Sequence, residues 1–149
     1  MMKEQVAVEK DCRLDALGTT LGRVRCERPV LVERMKHSLS NHGQLTAVVV
    51  VKREGRLEIL DGFKRYQAAK RLRWSTLRVV ERQLDEATQW AAMLLLNRGP
   101  QSMSILEEAL VLKELVATGL TQVQIGQLVY RHKSWVSRRI GVVERLHPE

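Results

Sequence analysis

The stretch from Leu120 to Ile140, Leu-Thr-Gln-Val-Gln-Ile-Gly-Gln-Leu-Val-Tyr-Arg-His-Lys-Ser-Trp-Val-Ser-Arg-Arg-Ile, constrains the fold more than any other part of the chain. It has the parts of a helix-turn-helix: a capped short helix, a small residue where two helices cross, a tight turn and a second helix. Thr121 is the predicted cap, Gly126 the crossing residue, and Ile125, Leu128, Val136 and Ile140 the inward face. That leaves Lys133, Ser134, Trp135, Ser137, Arg138 and Arg139 near the exposed start and side of the second helix. Polar and basic groups placed there reach phosphates or base edges in a major groove. Gln122, opening the first helix, is placed to hydrogen-bond a phosphate. Trp135 admits two roles, a DNA contact or a core anchor. The turn position often held by glycine is Tyr130, which is poorly suited to positive φ, so a longer or reshaped turn is expected. The competing reading is an ordinary helical hairpin.

Charge agrees with a polyanion partner. Across 149 residues, 25 Lys and Arg outnumber 17 Asp and Glu, a formal net charge of +8. Residues 52–82 carry ten Lys or Arg against four acids, and Arg131, Lys133, Arg138, Arg139 and Arg145 form a second cluster. Nucleic acid is the first partner this surplus suggests and an anionic membrane the second. Aromatic residues make up only 4%, too few for a surface built of base-stacking platforms. Cys12 and Cys26 are too few for a disulfide framework, and no Cys/His group has zinc-finger spacing. No metal ligand and no catalytic residue is nominated. The N-terminus has no apolar signal core. The longest apolar runs, Ala47–Val51 and Ala91–Leu96, fall far short of the ~20 residues that span a bilayer, so a cytoplasmic protein with no membrane partner is expected.

Upstream, strand and helix signals alternate. Residues 1–29 are weakly patterned, with a short strand or arm and a turn at Pro29. Leu31, Met35 and Leu39 mark a helix that Gly43 stops in the left-handed conformation. Thr46–Lys52 and Leu57–Leu60 read as a hairpin around Arg53-Glu54-Gly55-Arg56. A helix over Phe63–Leu72, a strand over Leu77–Glu81 and a helix capped by Asp85 and running to Asn97 follow. Arg98-Gly99-Pro100 breaks the pattern, and beyond it only helices are expected. The first of these shows the capping-box pattern Ser104-Ile105-Leu106-Glu107 and is expected to bury Leu106, Leu110, the Lys113 stem and Val116. The expected class is α+β: a small α/β domain over residues 1–98, then an all-helical domain over 99–149.

Leu60-Asp-Gly-Phe-Lys-Arg-Tyr-Gln-Ala-Ala-Lys-Arg-Leu72 places a glycine and two cations at a strand-to-helix junction. Free N–H groups and the helix dipole favour an anion there, Gly62 lets it approach, and Lys64 and Arg65 add charge. The physical reading is a phosphate site, and the alternative is a surface helix after a glycine turn.

Taken together, these motifs resemble the ParB-type partition proteins, their N-terminal domain followed by a helix-turn-helix domain, from about residue 29 to 146. Asp61-Gly62-Phe63-Lys64-Arg65-Tyr66-Gln67-Ala68 stands where that family has a Gly-Glu-Arg-Arg-Tyr/Trp-Arg-Ala box. Asn97-Arg98 lies near its Glu-Asn-x-x-Arg box, and Glu107-Glu108-Ala109, Thr121-Gln122 and Ser134–Arg139 follow at matching distances. The resemblance implies duplex DNA as partner, a partition ATPase, and CTP with magnesium bound through Gly62, Lys64, Arg65, Asn97 and Arg98, while a single helix-turn-helix needs a dimer for useful specificity, so a homodimer is expected. It also implies a role in plasmid or mobile-element partition, or in transcriptional regulation. The chain departs from the pattern at Phe63 for Glu, Gln67 for Arg, Leu96 for Glu, Pro100 for Arg, and Thr46-Ala47 for Gln-Pro. Losing carboxylates removes a route to magnesium. The N-terminal arm is short and not recognisably basic, and no C-terminal dimerisation domain precedes Glu149, so a short relative or a shortened form is expected. The first domain also resembles sulfiredoxin, but Phe63 stands at the reactive-cysteine position. Two rivals to a DNA-binding protein are a CTP-dependent switch or NTPase using Gly62–Arg65, and a basic module for acidic partner proteins.

Overall fold

The computed structural model describes residues 8–26, 28–98 and 102–146. The chain divides into two compact units, Met1–Arg23 with Glu27–Gln83, and Val24–Cys26 with Leu84–Glu149.

The first unit is a five-stranded mixed sheet with two helices. Its strands are β1 (Glu9–Arg13), β2 (Leu17–Gly18), β3 (Val48–Arg53), β4 (Arg56–Asp61) and β5 (Thr76–Arg82), in the order β1-β5-β3-β4-β2. β3 pairs antiparallel with β4 and parallel with β5, while β1 and β2 close the edges. The β3–β4 hairpin turns through Glu54 and Gly55, both at positive φ (50° and 79°), the pair a tight right-twisting hairpin requires. Four successive valines suit the central strand β3, where Val48, Val50 and Val51 are fully buried. Helices α1 (Pro29–His42) and α2 (Phe63–Arg71) pack on each other. Val32, Leu39, Ala68 and Ala69 join Val48, Val50, Ile59, Leu77 and Val79 in one core. Each fully buried aliphatic side chain there is worth about 1.5–3 kcal/mol.

Three local readings change. Pro29 is not a turn residue but sits at the start of α1, where its missing N–H costs nothing. Gly43 ends α1 at φ 68°, ψ −166°, outside the left-handed helical region yet still at a φ that favours glycine. The weakly patterned N-terminus supplies two edge strands and two 3-10 turns, Leu14–Ala16 and Thr20–Val24.

The second unit holds α3 (Glu86–Leu96), α4 (Ile105–Ala117), α5 (Gln122–Val129) and α6 (Lys133–Leu146). The Asp85 side chain caps α3 by accepting from the Thr88 amide, and that bond holds its carboxyl below the usual range. Ser104 and Glu107 form the expected capping box at α4, as do Thr121 and Gln124 at α5. The sequence placed the break at Arg98-Gly99-Pro100, of which Gly99 and Pro100 lie outside the described residues. By packing, the units divide earlier, between Gln83 and Leu84, because Trp90, Met93 and Leu94 put α3 against α4 and α5.

The buried face of α4 is not the expected one. Val111, Leu112 and Leu115 are fully buried, while Leu106 and Leu110 are half-buried and Lys113 and Val116 exposed. Glu107 sets the helix phase. It is itself fully buried, accepts from the Cys26 amide at 3.0 Å, and faces the Arg25 guanidinium at 3.2 Å. In α5 Ile125 faces inward as expected, but its buried partner is Val129, with Leu128 half-buried.

Candidate functional site

In the second unit, Tyr130, Arg131 and His132 join α5 to α6. Tyr130 adopts the left-handed conformation (φ 59°, ψ 43°), so the turn keeps its tight shape without the usual glycine. The side chain is 78% exposed and gains little packing in return. Tyr130→Gly is therefore expected to raise stability by about 0.5–1 kcal/mol, read as a higher urea midpoint at unchanged slope. Gly126 lies at the helix crossing as expected. Its carbonyl accepts from the Arg131 amide at 2.8 Å, and a Cβ there would run into the Arg131 carbonyl oxygen.

His132 caps α6, a role the sequence did not signal. Its Nδ1 accepts from the Ser134 amide at 3.2 Å and lies 2.8 Å from the Ser134 hydroxyl. Its carbonyl accepts from the Trp135 and Val136 amides. Val136, Ile140 and Val143 face inward, so Lys133, Ser137 and Arg138 are exposed on α6 and Gln122 at the start of α5. Trp135 and Arg139 turn to the flank. The Trp135 ring is half-buried, with the guanidinium groups of Arg131 and Arg139 over it at 4.8 and 5.3 Å, and Arg139 Nε is 3.5 Å from Glu108 Oε1.

The residues nominated for an anion fall in separate units. Gly62, Lys64 and Arg65 belong to the first, Asn97 and Arg98 to the second. Gly62 precedes α2 at φ 114°, with Val48 methyls 3.0 Å from where a Cβ would stand, so both backbone and space demand glycine. No side chain caps the first turn of α2. Phe63 packs against the first unit's core, and a Cβ on Gly22 would lie 3.0 Å from its ring. Glu58, buried in β4, anchors the neighbouring 3-10 turn by accepting from the Thr20 amide and hydroxyl at 3.1 and 3.3 Å. In the second unit the Asn97 amide donates to the Met93 carbonyl at 2.7 Å, and Arg98 donates to the Val129 carbonyl at 2.6 Å. Both ends of helices are closed by these bonds.

With this geometry in place, the family model of the ParB N-terminal domain matches residues 23–98. The chain belongs to the ParB N-terminal domain family. A nucleoid occlusion protein of Halalkalibacterium halodurans is 25% identical over 118 residues, 78% of this chain and 42% of that protein. The chain thus spans less than half the length of that relative. Two structures of the C-terminally truncated chromosome-partitioning protein ParB from Caulobacter crescentus share the fold at 24% identity. One, complexed with CTP-gamma-S, has a TM-score of 0.57 and covers 89% of this chain and 76% of that one. The other, complexed to the centromeric parS site, has a TM-score of 0.58 and covers 87% and 69%. The matched ParB segment begins at Arg23 and contains both the Gly62–Arg65 box and Asn97-Arg98.

Proposed function

We propose that the chain is a ParB-like DNA-binding protein in which α5, the Tyr130–His132 turn and α6 act as a helix-turn-helix, over the proposed DNA-binding domain 99–149. The observation that carries the reading is the exposed outer side of α6, where Lys133, Ser137 and Arg138 stand free of the core with Gln122 nearby in sequence on α5. Such a face supplies cations for phosphates and donors for base edges. Ser134 contributes through its hydroxyl, which also faces His132. Trp135 and Arg139 support the helix from its flank. The structure of a ParB relative on parS DNA supports the same direction. A single reading helix covers half a site, so the reading includes a homodimer. Partition or nucleoid occlusion is the cellular role that the relatives suggest, with a partition ATPase as partner of the first.

CTP is the second reading, favoured by the start of α2, which no side chain caps and which carries Lys64 and Arg65, and by the relative solved with CTP-gamma-S. These residues fit a phosphate. They do not supply a carboxylate for magnesium, because Phe63 is committed to the core, and among the described residues no group of three His, Cys, Asp or Glu could hold a metal. Bound there, CTP would supply charge that the α2 amides, Lys64 and Arg65 neutralise.

Selection from a random duplex pool at two salt concentrations, with and without CTP and magnesium, tests both readings. One enriched motif is expected. Arg138→Gln is expected to weaken binding to it several-fold and to reduce the salt slope by about one. Unchanged affinity and slope would remove Arg138 from the interface. Enrichment of no motif would leave the protein-interaction module in front.

A further inference from the structure

We propose that the second unit contains a binding pocket for a phosphoryl group, walled by Asn97, Arg98, Glu108, Arg131, Trp135 and Arg139. These residues surround a recess of about 200 Å³, large enough for a phosphate or pyrophosphate with a few waters. Three guanidinium groups and one carboxylate leave two surplus positive charges, the charge a phosphate dianion neutralises. The guanidinium fork matches phosphoryl oxygens in geometry as well as charge.

The pocket is built rather than incidental. Arg131 and Arg139 both make cation–π contacts with the Trp135 ring. Arg98 is anchored at the Val129 carbonyl. Arg139 Nε is buried yet makes no hydrogen bond among the described residues, its Glu108 partner standing at 3.5 Å. A buried donor without a hydrogen bond is costly to leave so, and an incoming oxygen removes that cost. Glu108 is the competing anion: a phosphoryl group entering the recess takes over Arg139 from it.

The pocket goes beyond the DNA-binding reading and stands even where α6 reads no DNA, because its probe is inorganic. Pyrophosphate titrated against the purified chain is expected to change Trp fluorescence and, at tenfold over its Kd, to raise Tm by roughly 3–6 °C. Arg131→Gln and Arg139→Gln should each weaken pyrophosphate binding by about tenfold or more, while Arg145→Gln, exposed on α6 outside the pocket, should leave it unchanged. Glu108→Gln should tighten it several-fold, a gain that a purely structural role for Glu108 would not produce. Equal losses in all three arginine variants, or no gain in Glu108→Gln, would overturn the pocket. Arg131 is exposed, so its variant tests the pocket even where Arg139→Gln fails to fold. A duplex that competes with pyrophosphate in the wild type identifies the source as backbone phosphate, and one that does not identifies it as a free phosphate or nucleotide.

Discussion

Glu107→Ala is expected to lower the unfolding free energy by about 3–5 kcal/mol, because it strands a buried guanidinium and breaks a helix cap together. The Glu107 carboxylate accepts from the Ser104 and Cys26 amides at 2.9 and 3.0 Å and faces Arg25, which in turn donates to the Ser102 carbonyl at 2.6 Å. One side chain thereby caps α4, fixes its rotation and ties residues 24–26 into the second unit. Burial pushes this carboxyl up, but the Ser104 and Cys26 amides and the Arg25 charge more than offset it, so its pKa lies below the usual carboxylate range. The sign follows from a depressed folded-state pKa. The stabilisation is fully present above the unfolded value and is lost as pH falls through the folded one. Urea unfolding of wild type between pH 7 and 3 should therefore show a fall that Glu107→Gln largely lacks. A loss under 1 kcal/mol in Glu107→Ala would show that the network contributes little.

Gly126→Val is expected to be the second most damaging single change, at about 3 kcal/mol or more. Its Cβ would meet backbone, the Arg131 carbonyl, rather than a side chain able to move aside. The turn would have to open, and α6 would shift relative to α5. Gly141 provides an internal control on α6. A Cβ there meets nothing closer than Arg145 Nη2 at 3.9 Å, so Gly141→Ala should gain up to about 1 kcal/mol from helix propensity. Denaturant midpoints of the two variants should move in opposite directions. Under the proposed helix-turn-helix reading, Gly126→Val also loses DNA affinity while Gly141→Ala keeps it. If both variants prove equally mild, the tight crossing at Gly126 is not needed.

Much of the architecture was legible because local chemistry and tertiary structure agree. Alternation of β-branched runs with Ala-rich and Lys/Arg-rich stretches located β3, β4, α2 and β5 to within one or two residues. Capping boxes at Ser104 and Thr121 marked two helix starts, since caps are made within four residues of chain. Motif order carried the family, because several spaced motifs together exclude most other folds.

What the sequence by itself determined is therefore everything that short-range hydrogen bonding and hydrophobic period can encode: element types, caps, the crossing glycine and the basic character of α6. Only the tertiary structure decided the partners brought from far along the chain. Gln44, unremarkable in sequence, uses its side chain to hold both the N–H and the carbonyl of Arg78 at 2.7 Å, guiding β5 beside the loop before β3. Arg25 and Cys26 reach Glu107 across about 80 residues and thereby turn α4 onto a face its own periodicity did not indicate. Arg98 and Arg139, read as contacts to two different ligands, meet around one recess with Trp135 and Glu108. No local pattern records such meetings, because packing, and not chain proximity, selects which buried polar groups must find each other.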